Sequence, residues 1–107
     1  MNREIVFALY RPHPAKEKAL EKLVRDHVPT LLRLGLVTDR AALHARAKNG
    51  TVIEVFEWTS RDAARRAHEH PEVARVWEAM GEVSNFVSLD TLEEATGTFP
   101  HFQPMGE

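Results

Sequence analysis

The chain has 107 residues, 43% hydrophobic and 28% charged, with a formal net charge of −2; that describes one globular domain with room for a single two-layer core. It contains no cysteine, which excludes disulfides, thiolate nucleophiles and cysteine metal ligands and fits a reducing compartment. No run approaches the ~20 apolar residues of a membrane span, and the first apolar run, stopped by Arg11, Pro12 and Pro14, is too short for a signal peptide, so a cytoplasmic protein with no membrane partner is expected.

Residues 3–10 alternate as a strand, with Ile5, Phe7 and Leu9 on one side and Val6, Ala8 and Tyr10 on the other. Both sides are apolar, so the strand is expected at the centre of a sheet and covered on both faces. The Arg11-Pro-His-Pro segment ends it. Residues 15–34 then carry Leu20, Leu23, Val24, Leu31 and Leu34 at helical spacing, with His27 on the same stripe. Pro29 should kink or restart this helix, and Gly35 suits its C-cap. Lys16, Lys18, Lys22 and Arg25 alternate with Glu17, Glu21 and Asp26. Such interleaving describes a solvated helix face, and no nucleic-acid partner is expected.

Two strand-like runs, ALHARAK and TVIEVFEW, flank Asn49-Gly50, the preferred pair for a two-residue hairpin turn. That turn would place Ala47 opposite Val52, Ala45 opposite Glu54, Leu43 opposite Phe56 and Ala41 opposite Trp58, all on one face. Glu54 would then be the one charged group on an apolar face, opposite an alanine. Ser60 reads as the N-cap of a helix over 61–69, which Pro71 interrupts before a second segment through Val73, Val76, Trp77 and Met80. Residues 85–90 form a last short strand, and residues 95–107 follow the main domain, 1–94, as a tail that docks or frays. The order βαββαβ predicts an α+β, ferredoxin-like domain: a four-stranded antiparallel sheet with two helices on one face. Its other face, lined by Val6, Ala8, Tyr10, Ile53 and Val55, is too apolar to stay wet and predicts a homodimer paired through the sheet, with Tyr10 at the interface and the tail expected to dock on the dimer.

The strand order, the hairpin running into EVFEW-TS, the Ala-rich helix with His68 and the HP-EV break resemble the dimeric α+β barrel superfamily, specifically its antibiotic-biosynthesis-monooxygenase-like (ABM-like) domains. The resemblance covers residues 3–90 in layout. It implies a small-ligand-binding homodimer and, if an enzyme, one that oxidises a small aromatic or quinol-like compound without any cofactor; the alternative is a non-enzymatic binding or structural module. The haem-degrading branch is not matched: its strand asparagine has no counterpart in EIVFALY, and with His68 in the place of its tryptophan, Glu78 stands where its iron-ligating histidine should be.

His68 borders the sheet-facing side of its helix and is the candidate base, because histidine titrates near neutral pH. Glu54 is its candidate partner or an alternative base, although a salt bridge to Arg65 or Arg66 would also explain it. Phe56, Trp58 and Trp77 are candidate walls of a ligand slot, against the plainer reading that they fill the core. His68 and His70 are too closely spaced for a helical metal pair, so no metal is expected; His70, before Pro71, reads as a cap.

Overall fold

A computed structural model describes residues 2–105. The strands are β1 (Glu4–Pro12), β2 (Leu43–Arg46), β3 (Val52–Trp58), β4 (Ser84–Val87) and β5 (Gln103–Pro104), and the helices are α1 (Glu17–Arg33), α2 (Arg61–His68) and α3 (Pro71–Val83). The sheet runs β4-β1-β3-β2-β5, with every neighbour antiparallel. Its first four strands keep the ferredoxin-like order. The expected four strands become five because the tail turns back and pairs Gln103 and Pro104 with Arg46 and Ala45. The expected two helices become three because His70 leaves helical geometry: its side chain accepts from the Glu72 N–H and Pro71 starts α3. No helix among the described residues is long and apolar enough to cross a membrane.

Pro29 does not divide α1, which runs unbroken from Glu17 to Arg33. The cost of a proline is a missing N–H and crowding of the preceding turn, and here it falls on an exposed residue near the helix end. Ser60 caps α2 as expected, accepting from the Ala63 N–H. Gly35 takes φ +75° after α1, the left-handed geometry that suits glycine at a helix end.

The hairpin departs from expectation by one residue. The Ala47 N–H donates to Thr51 O and the Gly50 N–H to Ala47 O, so Lys48, Asn49 and Gly50 form a three-residue loop with Gly50 at φ +91°. Three-residue loops of this kind place glycine at the left-handed position. The pairs are therefore Leu43 with Val55, His44 with Glu54, Ala45 with Ile53 and Arg46 with Val52. A slip of one residue moves every β2 side chain to the opposite face. It puts His44, not Ala45, beside Glu54.

Val6, Ala8 and Tyr10 of β1 stand opposite Phe56, Glu54 and Val52, and these residues pack under the helices with Leu20, Leu31, Ala63, Ala67, Val73 and Met80. The expectation that Val6, Ala8 and Tyr10 line the bare face is thus overturned. That face carries Ile5, Phe7 and Leu9 with Ile53 and Val55. Residues after β4 cross half of it: Leu92, Ala95 and Phe102 pack on Leu9, Ala47 and Ile53. The uncovered half leaves Ile5, Phe7 and Leu43 at 49%, 55% and 64% exposure.

Candidate functional site

Glu54 lies in the middle of β3 and is fully buried. A carboxylate there has lost its water and must recover the same interactions from the protein. Three donors supply them. Tyr10, from β1, donates its hydroxyl to Oε1 at 2.8 Å, and His27, from α1, places Nδ1 2.8 Å from the same oxygen. His44, from β2, places Nε2 2.9 Å from Oε2. Burial alone would push the Glu54 carboxyl up, but the bonds from His27, His44 and Tyr10 outweigh it and hold the group at about 2, as expected for a carboxylate with several donors. Burial, then the Glu54 charge and hydrogen bond, push the Tyr10 phenol far above its usual range, so Tyr10 remains a donor.

Of the three, only His44 reaches outward, its side chain 27% exposed against 3% for that of His27. It opens on a groove of about 670 Å³ between α1 and the β2 edge, lined by Glu21, Val24, Arg25, Ala42, Arg46 and Met105 among others. Arg46 crosses the groove to Glu21, and the Met105 N–H donates to the His44 carbonyl, tying the tail to the site. In the tautomer that donates Nε2–H to the carboxylate, the His44 ring has its lone pair on Nδ1. The arrangement is a carboxylate-oriented histidine at the wall of an open groove, a geometry suited to general-base chemistry. No group of three or more His, Asp or Glu side chains among the described residues is placed to hold a metal ion.

Two solved proteins share this architecture. SnoaB, a cofactor-independent oxygenase from Streptomyces nogalater, matches over 81% of this chain and 88% of its own at 20% identity, with a TM-score of 0.67. Tetracenomycin F2 cyclase from Streptomyces glaucescens, a type-II polyketide cyclase, matches over 81% and 82% at 21% identity, with a TM-score of 0.56. The chain has the ABM-like fold. No protein-family model matches the sequence, and no curated protein matches it at a significant level.

Within this fold the residues singled out from sequence are distributed as follows. Glu54 is at the centre of the polar cluster, but its partners are histidines and a tyrosine. Arg65 pairs instead with Asp62 and Glu69, and Arg66 with Asp62. His68 is exposed at the end of α2; its ring lies edge-on to Trp77, centroids 4.8 Å apart, and it is not among the hydrogen-bond partners of Glu54. Phe56 and Trp58 meet edge to face, ring centroids 5.2 Å apart, within the apolar core. Trp77 joins the polar cluster from the far side, its indole Nε1 donating to His27 Nε2 at 2.9 Å. Sequence reasoning had Tyr10 at a dimer face and left His27 and His44 without a role. The signal for His27 was its place on the apolar stripe of α1, where a histidine must find partners. The signal for His44 was hidden by the hairpin register.

Proposed function

We propose that this ABM-like protein binds a small aromatic, quinol-like compound in the groove beside β2 and removes a proton from it, with His44 as the base and Glu54 as the carboxylate that orients it. The observation that carries this reading is the His44–Glu54 contact at 2.9 Å opening on the groove. Glu54 fixes the ring so that Nδ1 is the basic atom, and its negative charge faces the positive charge that develops on the ring. Deprotonation of an activated methylene or phenol leaves an electron-rich anion that can react directly with dioxygen. Where a CH₂ becomes a carbonyl, one oxygen atom is retained and the other leaves as water with the two hydrogens, so no cofactor is required. The shared fold with a cofactor-independent oxygenase supports the class of reaction. Pairing of two copies through Ile5, Phe7 and Leu43 belongs to the same proposal, since such apolar patches mark interfaces. The reading of His68 as the base has weaker support, because the residue next to it is Trp77 and not Glu54.

The test is oxygen uptake with a panel of hydroquinones and anthrones, comparing the protein with His44→Gln. Glutamine can still donate to Glu54 but offers no basic nitrogen. Uptake should fall by ~10²–10⁴ while binding of the same compounds persists. If the unsubstituted protein binds panel members but neither consumes oxygen nor exchanges their acidic protons, the non-enzymatic binding module stands instead.

A further inference from the structure

The His27 ring is 2% exposed and holds both nitrogens in contact, Nδ1 at 2.8 Å from Glu54 and Nε2 at 2.9 Å from the Trp77 indole nitrogen. An indole N–H can only donate. The Nε2 atom must therefore accept, which leaves the single ring proton on Nδ1, pointing at the carboxylate. His27 is neutral in this arrangement, a donor to Glu54 and not a counter-charge to it. We propose that Trp77 is a positioning residue: its indole N–H blocks the second protonation of His27 and so reserves the negative charge of Glu54 for His44. This rests on His44 and Glu54 being the reacting pair.

The alternative protonation state shows why the block matters. A carboxylate 2.8 Å away would draw a second proton onto a buried imidazole, and the two would become an internal ion pair. His44 would then lean on a neutralised partner. The groups facing His27 are Tyr10 from β1, Glu54 and Phe56 from β3 and Trp77 from α3, with His44 of β2 reached through Glu54. Tyr10 stays protonated and Phe56 carries no charge, so Glu54 favours a second proton on His27, while burial of the ring and the Trp77 N–H oppose it. The surroundings hold the indole in place. His70 and Pro71 start α3 with the direction that carries Trp77 over the sheet, and the His68 ring packs against the indole from α2. The histidine pair around the proline thus acts on the site at one remove.

The test is long-range ¹H–¹⁵N spectroscopy of histidine in the whole protein, followed from about pH 8 down to about pH 5.5, a range that spans the ordinary histidine titration. The unsubstituted protein should show His27 with a protonated Nδ1 and an unprotonated, hydrogen-bonded Nε2 throughout. Trp77→Phe, which keeps an aromatic ring and removes only the N–H, should let His27 reach the doubly protonated pattern within that range. In the same variant the acid limb of the activity profile should move to higher pH while activity at its upper plateau changes less. The proposal is overturned if His27 of the unsubstituted protein carries its proton on Nε2 or carries two, a result that needs no variant, or if the Trp77→Phe spectrum follows the same course as the parent. Because the spectra need no substrate, loss of the catalytic reading through an active His44→Gln would leave this result standing or falling by itself.

Discussion

Glu54→Gln isolates the charge at the centre of the cluster with almost no change of shape. The amide oxygen can take over Oε1 and keep Tyr10 and His27, but the amide nitrogen then faces His44 Nε2. Two charge-assisted hydrogen bonds become neutral ones, a loss of about 1 kcal/mol each. The third survives only if His44 moves its proton to Nδ1, which removes the basic lone pair from the groove. The carboxyl is also lowered on folding, from 4.5 to about 2, which points the same way. The folded-state value is the depressed one, so this contribution is present in full above the unfolded value of 4.5 and is lost as pH falls toward 2. Glu54→Gln should therefore cost about 2–3 kcal/mol at pH 7 and much less near pH 2, where the parent carboxylate is itself being protonated. Urea unfolding at fixed protein concentration and at both pH values measures this directly. Equal midpoints at pH 7, or a deficit that does not shrink in acid, would refute the reasoning.

Two further outcomes follow from the back of the sheet. Leu92→Ala removes a side chain 1% exposed beneath the returning tail and should cost about 2–5 kcal/mol; an unchanged thermal midpoint would mean the tail is not docked there. Phe7→Glu places a charge on the uncovered half of that face and should convert a dimer to a monomer in sedimentation with its circular dichroism preserved; a parent protein already monomeric at micromolar concentration ends the dimer proposal.

The layout was legible in the sequence wherever one element has one strong local cause. Alternation marked β1, the apolar stripe marked α1, Ser60 marked the start of α2, and the His70-Pro71 pair marked the break before α3. The cluster was only partly legible. Glu54 stood out because a charge on an apolar strand demands explanation, but its partners come from three other elements and their meeting depends on register. Asn49-Gly50 suits a two-residue turn so well that local chemistry points to the wrong pairing. Burial decides the matter: the observed register gives Glu54 a donor in His44, while the alternative would set it against Ala45 and leave one carboxylate oxygen short of a partner. The tail was harder still, because two paired residues and three scattered apolar contacts leave no periodic trace.

The three-residue loop bears on which changes of chain length this domain could survive. Deleting Lys48 would leave Asn49-Gly50 to close the same Ala47–Thr51 pair, so His44 would remain opposite Glu54. Deleting Ala45, only three positions earlier, would bring Leu43 opposite the buried carboxylate and swing His44 away from it. Of two single-residue losses in one hairpin, the first is a silent shortening and the second removes both the base and a partner that the carboxylate needs. Length variation among related chains should accordingly gather in the loop and stop at Ala47.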